Sequence, residues 1–113
     1  MKALFDKVCI RCSRITNNEY STSFSLGIRC LERDLRDPIY SIYGFVRFAD
    51  EIVDTFHDFD KKRLLERFKE ETYQSIREGI SLNPILNSFQ ATVNRFNIEN
   101  TLIEQFFKSM EMD

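Results

Sequence analysis

Apolar side chains recur at helical spacing along most of the chain, which predicts an all-helical protein. Only 3 Gly and 2 Pro interrupt the 113 residues, and no run alternates apolar and polar positions between turn residues. No repeat, low-complexity segment or linker divides the pattern. We therefore expect one all-α segment of about six helices.

Polar residues and a proline predict where the first helix stops and where the third helix begins. The first helix is expected over residues 3–15, and Thr16-Asn17-Asn18-Glu19 is expected to end it. The second is expected over residues 23–35. Asp37-Pro38 then predicts the start of a third helix over residues 38–56, because Asp caps free amides and Pro suits the first helical position.

Similar signals divide the second half of the chain. His57-Asp58-Phe59-Asp60 predicts a break, after which Asp60 caps a fourth helix. Asn83-Pro84 predicts the start of a fifth, and residues 97–100 separate it from a sixth. The side chains expected to face inward on the fourth and fifth helices are Leu64, Phe68, Ile76, Ile85, Phe89, Val93 and Phe96.

Composition and charge exclude several classes of protein. Hydrophobic residues make up 42% of the chain and include 11 Phe, which is enough for a core. The net charge of −2 lacks the basic excess of a nucleic-acid binder. No apolar run of about 18 residues or signal-peptide core is present, so a soluble, cytoplasmic protein is expected.

The third predicted helix carries a candidate site. At 100° per residue, Tyr43, Arg47, Asp50 and Asp54 lie within about 60° of one another. Two carboxylates one turn apart suit magnesium, which takes oxygen ligands and shares phosphate oxygens. Arg47 either contacts a diphosphate or neutralises one of the two aspartates in a structural salt bridge.

A serine-rich junction precedes that helix. Tyr20-Ser21-Thr22-Ser23-Phe24 lies where a loop leads into a helix, and free amides and hydroxyls there favour an anion. The alternative is that Ser21 or Ser23 only caps the helix, and the two interpretations are compatible.

Together these segments resemble the start of squalene and phytoene synthases, bacterial phytoene synthases among them. In that family a His-Ser-Lys-Ser-Phe-like segment precedes a Tyr-x-x-x-Arg-x-x-Asp-Glu-x-x-Asp helix. The chain has Tyr20-Ser21-Thr22-Ser23-Phe24 in the first place and the second pattern from Tyr43 to Asp54. The resemblance implies the helical isoprenoid synthase fold.

The resemblance also implies roles for individual residues. Asp50 and Asp54 would bind Mg²⁺ and, with Arg47, carry the catalytic function. Ser21, Ser23 and Arg47 would contact diphosphate, and Phe24 and Tyr43 would line the prenyl cavity. The family condenses two prenyl diphosphates, geranylgeranyl or farnesyl, head to head in isoprenoid and carotenoid biosynthesis. Peripheral membrane association for product release is implied as well.

The sequence departs from the family pattern in two respects. Tyr20 and Thr22 replace the histidine and the basic residue of the serine motif. A second aspartate-rich motif, which the family carries on a later helix, is missing. One carboxylate pair cannot hold enough metal for two diphosphates. The expectation is an amino-terminal part of a longer enzyme that is inactive alone and prone to self-association.

Two alternatives remain. A non-catalytic helical interaction module would use the ionic stripe structurally and the aromatic side chains as an interface. A head-to-tail prenyl diphosphate synthase shares the fold, but its Asp-Asp-x-x-Asp motif does not occur around Asp50.

Overall fold

The computed structural model describes residues 1–112, which contain helices and no strands. The prediction of an all-α chain with about six helices is confirmed. In chain order the helices are α1 (Lys2–Tyr20), α2 (Thr22–Arg29), α3 (Arg33–Asp54), α4 (Lys61–Glu78), α5 (Pro84–Phe96) and α6 (Asn100–Met112).

The longest helix, α3, runs through the centre and packs against the other five. Its buried side chains Phe45, Ala49 and Ile52 enter a core that α4, α5 and α6 complete. The buried members from those three helices are Leu65, Phe68, Ile85, Leu86, Phe89, Val93, Ile103 and Phe107. Burial of this apolar surface fixes which side of α3 faces the core.

Phe45 is the centre of the aromatic packing. Its ring stacks on Phe89 with centroids 3.8 Å apart and on Phe68 at 5.4 Å. Phe107 meets it edge-on at 5.8 Å. One side chain of α3 therefore joins α4, α5 and α6, which makes the rotation of α3 about its own axis hard to change.

A close contact between α1 and α3 lies on another side of the central helix. A methyl group added at Gly44 would lie 3.4 Å from Ser13 Oγ and 3.5 Å from Ser13 Cα. Ser13 is fully buried, as is the neighbouring Asn17 one turn later. Small side chains at the contact allow the two helix backbones to approach closely.

The predicted end of the first helix at residue 15 is wrong, because α1 continues to Tyr20. Two residues of the presumed turn have partners that suit a helix. Thr16 Oγ1 donates a hydrogen bond to the Cys12 carbonyl oxygen at 2.9 Å. The Asn17 side chain is buried against α2, where Ser25 Oγ lies 2.5 Å from Asn17 Oδ1.

The predicted junction between the second and third helices is also wrong. α2 ends at Arg29 instead of residue 35, and α3 begins at Arg33 with Pro38 inside it. Arg36 donates to the carbonyl oxygens of Leu31 and Arg29, at 3.0 and 2.9 Å, and so holds the start of α3 against the end of α2. Asp37 therefore does not cap a helix.

The other predicted helix starts are confirmed. Asp60 accepts a hydrogen bond from the Arg63 amide at 3.1 Å and caps α4. Asn83 Oδ1 accepts from the amides of Ile85 and Leu86, and Pro84 is the first residue of α5. The predicted burial of Phe96 is wrong: the side chain is 46% exposed, and the Arg95 guanidinium lies 4.8 Å from its ring centroid.

A bilayer could not be crossed by any helix in residues 1–112, since none combines the required length and hydropathy.

The central position of Phe45 gives a stability prediction. Phe45→Ala is expected to lower the free energy of unfolding by about 3–5 kcal/mol, because it leaves a cavity among packed rings. Phe59→Ala, at a side chain that is 67% exposed, is the matched control and should cost about 1 kcal/mol or less. Urea unfolding followed by circular dichroism measures both. Equal losses in the two variants would contradict the assigned core.

Candidate functional site

The stripe predicted on the third helix forms on α3, which is continuous from Arg33 to Asp54. Tyr43, Arg47 and Asp50 are partly buried, whereas Asp54 is exposed as the last helical residue. The four side chains follow one another at helical spacing on the side away from Phe45. The stripe is therefore partly buried over its first three members and reaches solvent at Asp54.

Arg47 occupies the middle of the stripe and has two partners. One Nη atom donates a hydrogen bond to Glu51 Oε1 in an ion pair whose side chains are 26% and 17% exposed. The guanidinium also lies 4.6 Å from the ring centroid of Tyr20, at the end of α1. The contact with Tyr20 joins the start of the serine-rich junction directly to α3.

The charge of Arg47 is retained despite its burial. Burial disfavours the charged guanidinium, but the hydrogen bond to Glu51 and the negative charges of Glu51 and Asp50 outweigh that effect and raise the pKa of Arg47. Arg47 Nε is buried and has no hydrogen-bond partner within residues 1–112. A partly buried cation with unused donor capacity is thus held beside Asp50.

The serine-rich junction is a sharp turn between α1 and α2. Ser21 adopts an extended backbone and caps α2, since its Oγ accepts a hydrogen bond from the Phe24 amide at 3.1 Å. The interpretation of Ser21 as an N-cap is therefore confirmed. Ser23 lies one residue into the first turn of α2 and is exposed.

Hydrogen bonds of the Ser25 hydroxyl also hold this junction in place. Ser25 Oγ lies 2.5 Å from Asn17 Oδ1 and 2.8 Å from the Ser21 carbonyl oxygen. The Asn17 and Ser25 side chains are both buried. This network ties the last turn of α1 to the first turn of α2.

Phe24 and Tyr43 form the aromatic part of the site. Their rings stack with centroids 5.1 Å apart and an interplanar angle of 28°. Phe24 remains 45% exposed. The pair provides an apolar surface one helical turn before Arg47.

A cleft of about 420 Å³ lies beside the stripe, between α3 and α4. Phe48, Ile52 and Phe56 supply its apolar lining from α3. Tyr20 and Glu51, the two partners of Arg47, also line it. Arg47 thus lies between the aromatic pair on one side and this cleft on the other.

The two aspartates fit a magnesium ion by their chemistry. Asp50 and Asp54 are one turn apart and offer carboxylate oxygens, which magnesium prefers. Magnesium also keeps several waters and shares phosphate oxygens, so two protein ligands are sufficient. Within the part of the chain that the structure describes, no group of three or more His, Cys, Asp or Glu side chains is arranged to hold a metal.

Comparison with protein-family models gave a match. The family model described as squalene/phytoene synthase matches residues 17–113. The chain belongs to the squalene/phytoene synthase family. Searches of curated proteins and of solved structures each gave no significant match.

In this squalene/phytoene synthase family member, Tyr20 occupies the position of the histidine in the family's serine motif. The Tyr20 ring contacts the Arg47 guanidinium without competing for its hydrogen-bond donors. Thr22, which replaces the family's basic residue, is exposed in the first turn of α2. Arg47 is thus the cation that the structure places between the junction and the aspartates.

Sequence reasoning missed four side chains that position the site. Glu51 forms an ion pair with Arg47 that was not predicted, and its i to i+4 spacing was a usable signal. Tyr20, Asn17 and Ser25 gave no such signal, because their contacts depend on how α1 meets α2 and α3.

The partly buried ion pair gives the second prediction. Glu51→Gln is expected to lower the free energy of unfolding by about 1–3 kcal/mol, because it leaves a partly buried guanidinium without its counter-charge. Glu111→Gln removes one member of the Lys69–Glu111 pair, whose side chains are 32% and 41% exposed, and should cost about 1 kcal/mol or less. Urea unfolding compares the two variants. A larger loss for Glu111→Gln would be inconsistent with the assigned role of Glu51.

Proposed function

We propose that this squalene/phytoene synthase family member supplies one magnesium and diphosphate site of a prenyl transferase that condenses two prenyl diphosphates head to head, and that these 113 residues alone do not catalyse the reaction. Asp50 and Asp54 would hold magnesium, and Arg47 with the serine-rich junction would bind diphosphate. The supporting observation is that this junction and the aspartate-bearing helix meet through two contacts, Arg47 with Tyr20 and Phe24 with Tyr43.

The hydroxyl groups of the junction have the capacity to contact a diphosphate. Ser21 Oγ is engaged as an acceptor by the Phe24 amide, and its own O–H remains available as a donor. Ser23 is exposed at the start of α2, where the helix amides favour negative charge. Both serines therefore suit oxygens of a diphosphate bound against Arg47.

Arg47 would bind the same group through its guanidinium. A planar guanidinium forms two parallel hydrogen bonds to phosphate oxygens, and partial burial strengthens them. The ion pair with Glu51 and the Tyr20 ring hold the guanidinium in position before substrate arrives. This arrangement reduces the entropy lost on binding.

Departure of diphosphate creates the reactive carbocation. Magnesium held by Asp50 and Asp54 would neutralise diphosphate charge and make it a better leaving group. The faces of Phe24 and Tyr43 are electron-rich, so they would stabilise a nearby cation. A cytoplasmic location and peripheral membrane contact during product release belong to the same proposal.

Magnesium-dependent binding tests this function. Isothermal titration with farnesyl thiodiphosphate, an unreactive analogue, is expected to show tighter binding with magnesium than with EDTA. Asp50→Asn and Asp54→Asn should each lower the magnesium-dependent affinity about tenfold or more, since each loses a charged metal ligand.

Asp34→Asn is the matched control for this experiment. Asp34 is exposed in the first turn of α3, about 24 Å along the helix from Asp50. Its substitution should leave the magnesium-dependent affinity unchanged. Binding that ignores magnesium and both site variants would reject the proposal and favour a helical interaction module instead.

A further inference from the structure

An arginine-lined cleft of about 700 Å³ lies where α1, the end of α2 and the start of α3 meet. Arg14 comes from α1, Arg29 from α2, and Arg33 and Arg36 from α3. None of the residues lining this cleft belongs to the Tyr43–Asp54 stripe. α2 separates the two places, with Ser21 at one end and Arg29 at the other.

Two of these arginines are fixed by the surrounding structure. Arg14 forms an ion pair with Asp37 at 3.2 Å, and its guanidinium lies 5.6 Å from the Tyr40 ring centroid. Arg36 is held by its hydrogen bonds to the carbonyl oxygens of Leu31 and Arg29. Arg14 and Arg36 therefore hold defined positions at the cleft.

The other two arginines form no ion pair with any carboxylate in the described part of the chain. They are Arg29 and Arg33, and both are exposed. Asp37 is the one carboxylate that lines the cleft in the described part of the chain. Four arginines and one aspartate thus line the cleft, so its local charge is positive although the whole chain has a net charge of −2.

This local excess of positive charge has a chemical consequence. Guanidinium groups that converge on one concavity repel one another unless an anion lies between them. Their planar forks match phosphate oxygens in pairs, which lysine does not achieve. Asn18, which also lines the cleft, adds an amide donor.

We propose that this cleft binds a phosphate group carrying two negative charges, separately from the aspartate-bearing site. The phosphate belongs either to a soluble phosphate compound or to the headgroup of an acidic lipid, and the chemistry of recognition is the same in both cases. The four arginines of the cleft would attract an anion locally, although the net charge of the chain is negative.

Two binding measurements in EDTA test the proposal without magnesium. One is titration with inorganic diphosphate, and the other is co-sedimentation with phosphatidylcholine vesicles that contain phosphatidic acid. The double substitution Arg29→Gln with Arg33→Gln is expected to lower affinity about tenfold or more in at least one measurement, because each charge-assisted contact contributes appreciably. Both side chains are exposed, so folding should be retained, which circular dichroism checks.

The matched control is Arg63→Gln with Arg77→Gln. Both residues are exposed on α4, and the double variant has the same change in net charge. A specific loss with diphosphate assigns a soluble ligand, and a specific loss with vesicles assigns a lipid headgroup. Unchanged binding in both measurements, or an equal loss in the control, would overturn the proposal.

Discussion

Packing of Phe45 into the aromatic core is the interaction on which the arrangement depends. Its contacts with Phe68, Phe89 and Phe107 fix the rotation of α3. Because a helix repeats every 3.6 residues, that rotation also decides where Tyr43, Arg47 and Asp50 lie. The position of the candidate site therefore depends on the core. A rotation of α3 that removed Phe45 from the core would also move the stripe away from Tyr20 and Phe24.

The second determinant is the turn between α1 and α2. The buried Asn17 and Ser25 side chains, together with the Ser21 cap, set its geometry. The turn brings Tyr20 against Arg47 and Phe24 against Tyr43. Family membership and these contacts support the same interpretation, in which the serine-rich junction and the aspartates serve one ligand.

The sequence predicted what depends on local chemistry. The caps at Asp60 and Asn83 were predictable because each is a short-range hydrogen bond. The helix start predicted at Asp37-Pro38 was wrong, because α3 already begins at Arg33. Contacts of Arg36 with the end of α2 accompany this earlier start, and they depend on how the two helices meet. The helical spacing of the site residues on α3 could be predicted from the sequence. The contact of Arg47 with Tyr20 could not, because it depends on how α1 packs against α3.

A nuclear magnetic resonance titration of the ¹⁵N-labelled chain tests most directly whether the two segments form one site. Magnesium and an unreactive prenyl diphosphate analogue are added while the backbone amide resonances are followed. If the two segments bind one ligand, the amides of Ser21, Ser23 and Phe24 shift together with those around Arg47 and Asp50, along one saturation curve. Shifts confined to α3, or separate curves for the two segments, would contradict it.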